Sequence, residues 1–325
     1  MSDNLLFHFE KSYENELKPI LQLLDEDRKR SLKKILLIWC IIAILDIIVC
    51  IVIMDYSSTK ETGILFLPIL IAVLVGGFIY HGLIKKYKNN FKKTIIGNLV
   101  KLISEEAVYY PESHITGTDF KESRLYTSKY NRFMGSDLVF GKLGSTLFKF
   151  SRLYVAYNTG SGKKERHKKI FNGTFFVADF NKYFNAETLV YSDNAERIFG
   201  SLIGRKLQTI SRSFSESKLI ELEDPEFEKR FAVFSSDQVE ARYILSTSLM
   251  KRITELDKRT KGRIQLSFIN GTVNIAIPQR KSYLKPRVFK SIVDKKLLLG
   301  YFNYLILITG IIEDLNLNTR IWTKK

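Results

Sequence analysis

The sequence predicts an α+β protein: an N-terminal two-helix transmembrane hairpin with a helical stalk, then a mixed, mainly antiparallel sheet domain with helices. Three observations predict it. Two apolar runs of bilayer length follow one another near the N-terminus, alternating apolar runs begin near Asp137, and Asn270-Gly271 joins two such runs.

The first apolar run, Ile35 to Met54, contains one charged residue, Asp46, and the second, Gly63 to Ile84, contains no Lys, Arg, Asp or Glu. At about 1.5 Å per residue each reaches across a hydrocarbon layer of roughly 30 Å. The linker Asp55 to Thr62 has room only for a turn, so the spans should lie antiparallel. Arg28, Lys29, Arg30, Lys33 and Lys34 precede the first span, and Lys85, Lys86, Lys88, Lys92 and Lys93 follow the second. Positive flanks on both sides place both termini in the cytoplasm. A signal peptide fits less well, because the first run starts late, exceeds the usual apolar core of such peptides and is followed by a second span.

Asp46 sits near the middle of the first span, where an unpaired charge costs about 2.5–3.5 kcal/mol on insertion scales. Two helices enclose no pore, the second span offers no cation at that depth, and His81 lies too near its cytoplasmic end. Asp46 is therefore expected to be protonated, or hydrogen-bonded across a subunit interface, rather than part of an ion path. Ala72, Gly76 and Gly77 would allow close helix contact, within the hairpin or in a homo-oligomer. Cys40 and Cys50 act as small apolar residues.

Residues 1–34 read as a juxtamembrane helix, with Leu17, Ile20, Leu21 and Leu24 at helical spacing and Pro19 starting the regular helix near Lys18. Residues 85–108 form a stalk helix whose stripe, Phe91, Ile95, Leu99, Leu102 and Ile103, stops before Tyr110-Pro111. The two stripes are expected to pack together.

Residues 109–325 form the cytoplasmic domain, with a subdivision near 215. Strands are expected in DLVFGKL from Asp137, in STLFKFSRLYVAYN, in KKIFNGTFFVADF, in ETLVYS and in KLIELE, and a helix over Asn194 to Gln208. Asp224-Pro225 marks a helix start, Asp237 with Glu240 reads as a capping box, and Ser246 to Leu256 as a further helix. Asn-Gly supplies the positive φ angles that a two-residue hairpin turn requires, so RIQLSFI and TVNIAI should pair. Leu297 to Ile312 is apolar but short for a span, and is expected to be a buried core helix.

Composition narrows the chemistry. The chain of 325 residues is 45% hydrophobic and 26% charged, which excludes a disordered polymer. Two cysteines and four histidines exclude a disulfide framework and argue against a zinc site. The formal charge is +17, and the excess lies after residue 84, pointing to phosphate, anionic lipid or an acidic protein as neighbour. No phosphate-loop, dinucleotide, zinc-protease, nucleophile-elbow or CxxC motif stands in a supporting context, so no cofactor and no metal are implied. Gly160-Ser161-Gly162-Lys163 resembles part of a phosphate loop but sits between strands as a hairpin tip.

His114 with Asp119 could form an acid–base pair, although Asp119 with Glu122 equally reads as a capping box, and His167 lies in a basic run. That run supplies the candidate lipid- or anion-binding residues: Lys163, Lys164, Arg166, Lys168 and Lys169. On a strand connection they could meet anionic headgroups, each worth about 1 kcal/mol at an anionic leaflet. Nucleic acid is the less favoured partner, since no reader motif accompanies the charge.

FNGTFFVADFNKYF at Phe171 to Phe184, EDPEFEKRFAVFSSDQVEARYIL at Glu223 to Leu245, and EDLNLNTRIW at Glu313 to Trp322 together resemble the bacterial family known as domain of unknown function 3137. The resemblance implies a multi-pass protein of the bacterial inner membrane that works with LemA-type membrane proteins. It carries over no catalytic residue. The reading is thus a membrane-anchored binding or scaffolding module at the inner leaflet. The alternative is an enzyme acting on an anionic substrate through His114, Asp119 and His167.

Overall fold

The computed structural model describes residues 2–56, 66–160, 166–180, 184–192, 218–261, 263–315 and 317. Most of the span linker, Lys163, Lys164, the helix expected over Asn194 to Gln208 and the end of the last family motif lie outside them. The chain divides into two compact units: Met1–Asn98 with Lys285–Leu299, and Leu99–Leu284 with Gly300–Lys325.

In the first unit, α1 (Ser2–Ser12) runs through a π-helical turn (Tyr13–Leu17) into α2 (Lys18–Tyr56). The long regular helix thus starts at Lys18, as expected from Pro19, but further helix precedes it. Proline lacks an N–H and its ring crowds the carbonyl four residues earlier, and the wider π turn just before it takes up that conflict. The second arm is α3 (Phe66–Phe91), followed by a π turn (Lys92–Ile96) and α4 (Gly97–Ile103), whose end belongs to the second unit.

Both long helices are apolar and long enough to cross a membrane. They pack on each other, yet Leu36, Leu45, Ile48 and Val52 of α2 and Leu67, Leu74 and Phe78 of α3 are exposed. An apolar surface of that extent fits a lipid surrounding, not water. Of the small residues, Gly76 makes the close contact: a Cβ there would come within 2.8 Å of the Trp39 ring, whereas one at Gly77 would meet nothing within 4 Å. Asp46 is half-buried. Beyond the spans, Leu17, Leu21, Leu24, Phe91 and Ile95 are buried, as their spacing predicts.

Among the described residues, the second unit is built on a nine-stranded sheet, antiparallel throughout, in the order β1-β2-β3-β4-β9-β8-β5-β7-β6. The strands are β1 (Val108–Tyr110), β2 (Arg132–Leu143), β3 (Thr146–Thr159), β4 (Arg166–Asp179), β5 (Thr188–Ser192), β6 (Lys218–Ile220), β7 (Phe231–Ser235), β8 (Gln265–Ile269) and β9 (Thr272–Pro278). The β8–β9 hairpin turns at Asn270 (φ 50°) and Gly271 (φ 72°), as the Asn-Gly pair dictates. It inserts between β4 and β5, which explains why both its strands are buried on both faces. Gly173 of β4 permits close approach, since a Cβ there would lie 2.1 Å from the Ile277 carbonyl oxygen.

The helices of this unit are α5 (Gly117–Glu122), α6 (Pro225–Glu228), α7 (Gln238–Ile244), α8 (Thr247–Arg259), α9 (Lys295–Thr309, shared with the first unit) and α10 (Ile311–Asp314). Asp224 caps α6 as expected, and Ser246, at which the sequence starts the next helix, is the cap of α8. Two caps differ from the sequence reading. Thr116, not Asp119, is the N-cap of α5, and Asp119 closes the reciprocal box from three residues on. Asp237 caps α7, but Glu240 turns away and accepts hydrogen bonds from the backbone N–H groups of Asn185 and Ala186.

Phe120 of α5 centres one core, stacking on Tyr126 at 5.2 Å and meeting Phe175 at the same distance, with Leu153, Val155 and Phe171 around it. The segment Lys295–Asp314 is apolar enough to span, but 44% of its most apolar stretch is buried, against 6% and 11% for the two N-terminal candidates. Phe302, Leu305 and Ile308 are fully buried, so α9 serves the interior.

Candidate functional site

Two places in the second unit gather polar or charged side chains: the far end of the β3–β4 ribbon and a cluster around Asp137. The ribbon is long because β3 and β4 pair from Phe148 with Ala178 out to Thr159 with Arg166. β2 stops pairing at Ala156, and β9 reaches only Gly173, so the last residues of β3 and β4 form a two-stranded projection. Arg166 and Lys168 are exposed there, and Lys169 is exposed at its base, opposite Ala156. They lie within β4, opposite Thr159, Tyr157 and Ala156, so the strand starts at Arg166, ahead of the Lys168 at which the sequence started it. Alternation puts Arg166 and Lys168 on one face and His167 and Lys169 on the other, so the charge is shared between both faces.

His167 is held in place by neighbours. Its Nδ1 stands 2.6 Å from Asn158 Oδ1, and in the neutral ring that contact leaves Nε2 to accept from the Tyr154 hydroxyl. Its ring stacks on Tyr154, over which the Arg132 guanidinium also lies at 5.8 Å. Asn131 bridges to Asn158 through two hydrogen bonds of 2.8 and 2.9 Å, tying the β2 start to the ribbon.

The other acid–base candidates do not converge with it. His114 has its Nδ1 2.8 Å from the Ile115 carbonyl and its ring against Phe133. Asp119 forms an ion pair with Lys149 at 2.8 Å and accepts from the Thr116 hydroxyl at 2.7 Å. Although burial raises its pKa, these bonds bring the carboxyl below its ordinary value. Asp119 and Lys149 line an open cleft of about 440 Å³ with Phe140, Leu147, Thr272 and Asn274. The β8–β9 hairpin supplies the smaller part of that lining, and α5 with strands β2, β3 and β4 the larger. Among the described residues no group of three His, Cys, Asp or Glu could hold a metal ion.

The cluster around Asp137 was not visible in the sequence. A bulge between Ser136 and Val139 shifts the β2–β3 register, and Asp137 sits in it with φ 64°, a left-handed conformation uncommon outside glycine. Its carboxylate accepts from the Tyr109 hydroxyl at 2.5 Å and from the Ser136 hydroxyl at 2.8 Å, and its N–H donates to the Pro111 carbonyl. Arg152, on β3, donates to Asn172 at 2.7 Å and to the Lys281 carbonyl at 3.1 Å. Tyr304 of α9 shares a 2.6 Å hydrogen bond with Thr174 and stacks on Tyr283. Asp137, Arg152, Tyr283 and Tyr304 surround a cavity of about 10 Å³, room for about one water. Burial, and then the Asp137 charge, hold the Tyr109 phenol far above its ordinary pKa; burial likewise raises Tyr304 and lowers Arg152. A cavity this small admits no substrate, and the cluster reads as a buried polar brace.

Residues 169–317 match the family described as "Protein of unknown function (DUF3137)". No curated protein matches the chain. Among solved structures, the mycobacterial trehalose monomycolate transport factor A, TtfA, is similar at 12% identity and a TM-score of 0.35, covering 68% of this chain and 97% of that one.

Proposed function

We propose that this chain, which belongs to the DUF3137 family through residues 169–317, is a membrane-anchored cytoplasmic binding module that meets anionic groups through the basic end of its β3–β4 ribbon. One observation carries the reading: Arg166 and Lys168 stand exposed on a projection beyond the last rungs of β2 and β9, with Lys169 exposed at its base. The helices apolar enough to cross a membrane support it, because an anchored domain has anionic headgroups as its most abundant neighbours. The inner membrane and cytoplasmic termini are part of the proposal, resting on the basic flanks of both spans.

The test uses the full chain in lipid nanodiscs. Hydrogen exchange along residues 166–172 should slow in discs of phosphatidylglycerol relative to phosphatidylcholine, and added salt should erase the difference. Replacing Lys163, Lys164, Arg166, Lys168 and Lys169 together with Ser should erase it too. Equal exchange in both discs would overturn the headgroup assignment. Purification from native membranes under the same conditions would show whether a LemA-type protein accompanies the chain.

A further inference from the structure

The segment Lys285–Leu299 leaves the sheet unit and belongs to the helical unit, where it lies as a strap across the juxtamembrane ends of α2 and α3. Four bonds fix it. The Tyr87 hydroxyl donates to the Arg287 carbonyl at 2.8 Å, and the Arg28 guanidinium donates to the Val288 carbonyl at 3.0 Å. Asp25 Oδ1 accepts from the Ile292 N–H at 3.1 Å, and Lys295 pairs with Glu10.

These contacts set the depth of the strap. Tyr87 stands three residues beyond Ile84, where the apolar run ends. At the helical rise that is about 5 Å beyond the hydrocarbon edge, within a headgroup layer of about 5–7 Å on each side. The strap backbone at Arg287 is therefore at headgroup level. Just after it, Phe289 is 75% exposed and Lys290 is exposed beside it. An aromatic ring with a flanking cation is the pairing that interfacial anchors use.

Lysines gather at the same level. Lys85, Lys88 and Lys92 follow at spacings of three and four residues, which places them on one helix face. Lys88 is half-buried, and Lys285 of the strap and Lys92 stand close enough to act on it. Burial, and then the like charges of Lys285 and Lys92, push its ammonium below the ordinary lysine value. Lys285 lies two residues before Arg287, whose carbonyl is bonded to Tyr87, so the strap brings its ammonium to the helix beside Lys88, where one anion can meet several positive charges at once.

We propose that Lys88, Lys92 and Lys285 hold the phosphodiester of an anionic phospholipid from the adjoining leaflet, with Phe289 inserted among its neighbours. This site rests on the reading that α2 and α3 span the bilayer, and it is separate from the ribbon end. The strap fixes the position of Lys285, and the helix fixes Lys88 and Lys92. A headgroup phosphate bound there would also secure the strap against the helices.

The full chain would be reconstituted in phosphatidylcholine nanodiscs carrying graded phosphatidylglycerol, and the lipid retained after detergent extraction counted by native mass spectrometry. The wild type should retain phosphatidylglycerol over phosphatidylcholine. A lysine at an anionic surface is worth about fivefold, so Lys88→Ser with Lys285→Ser should weaken retention about 30-fold. Lys88→Arg with Lys285→Arg should keep it, which separates lost charge from a damaged fold. The five-serine ribbon variant should also keep it. Retention without lipid preference, or a Ser pair that retains lipid like the wild type, overturns the site. Displacement of the lipid by excess inorganic phosphate would overturn the lipid assignment in favour of a soluble anion. Failure of the full chain to enter the discs would overturn the spanning reading, and this site with it.

Discussion

Asp25 and Asp137 are both nearly inaccessible carboxylates, at 3% and 4% exposure, but their surroundings satisfy them in opposite ways. Asp25, in the helical unit, faces cations: Arg28 at 2.8 Å and Lys29 at 3.1 Å, with the Ile292 N–H completing its shell. Asp137, in the sheet unit, accepts from the hydroxyls of Tyr109 and Ser136. The first arrangement uses charge to fasten a distant segment to a helix; the second uses neutral donors to hold a strained bulge. A buried ion pair is fragile when one partner is removed, whereas a hydroxyl shell loses its bonds one at a time.

The largest effect is therefore expected at Asp25. Asp25→Ala leaves Arg28, itself 5% exposed, without its carboxylate, and stranding a buried charge costs about 3–5 kcal/mol. The strap should loosen, so trypsin should cut faster after Arg287 and Lys290 in the solubilised full chain. Replacing the pair by Asp25→Leu and Arg28→Met removes the stranded charge and should recover part of the lost thermal stability, while the strap still lacks the bonds that Val288 and Ile292 make to this pair. Cutting unchanged by Asp25→Ala would show that the apolar contacts of Ile292 and Leu298 suffice to hold the strap.

Asp137→Ala should cost less, about 2–4 kcal/mol, since it strands the hydroxyls of Tyr109 and Ser136 at about 1–2 kcal/mol each. Alanine also gains nothing at φ 64°, a backbone position that favours glycine. Asp137→Gly relieves that strain while losing the same acceptor, so it should fall between alanine and the wild type. Thermal unfolding followed through exchange of the β1 and β2 amides would order the three. A glycine variant less stable than alanine would show that the bulge is held by its own backbone bonds, to Pro111 and Ser113, and not by strain relief.

How far each carboxylate could be read from sequence follows from the same contrast. Asp25 belongs to a charge run, and its pairs with Arg28 and Lys29 are helical neighbours that spacing alone brings together. The two long apolar helices, the Asn-Gly hairpin and the cap at Asp224 were legible for the same reason, as each is decided within a short stretch of chain. The Asp137 cluster draws on β1, β2, β3, β4 and α9, and only the sheet order joins them. The insertion of β8–β9 between β4 and β5 is equally non-local, and so is the strap, whose sequence KPRVFKSIVD has no helical or strand period to reveal it. The strand that carries the ribbon lysines was legible from Lys168 onward but not its start at Arg166, because a strand extended past its neighbours looks, in sequence, like its own polar turn.

Titration should separate the two carboxylate environments at opposite ends of the pH scale. Burial raises the pKa of Asp25, but the bonds from Arg28, the Ile292 N–H and Lys29 outweigh it and bring the value to about 2. A depressed folded value means the stabilisation is complete above the unfolded value of 3.8 and disappears as the pH falls through about 2. The amount at stake is about 2 kcal/mol. Tyr109 runs the other way: its phenol is raised, so its contribution holds below the unfolded value of 10.0 and is lost as the pH climbs beyond it. Strap proteolysis should therefore be the acid-sensitive readout and β1 exchange the alkali-sensitive one. Acid loosening that persists in the Asp25→Leu, Arg28→Met protein would move the cause to another carboxylate, such as Asp294 beside Arg287, which is also lowered.

The smallest expected effect concerns the other cation on Asp25. Lys29 reaches Asp25 Oδ2 at 3.1 Å, but its side chain is 62% exposed, and the pair lies in the i, i+4 relation. Water screens the ammonium, and its flexible stem loses entropy in holding one pose, so such a contact is worth about 0.2–1 kcal/mol. Arg28 differs in being buried, with a guanidinium that engages Asp25 and the Val288 carbonyl at once. Lys29→Ala should accordingly shift strap proteolysis by less than about fivefold, and added salt should mask even that. A loss as large as that of Asp25→Ala would mean that Asp25 depends on both cations together, and the helical unit would then hold its strap by a charge network in place of a single buried pair.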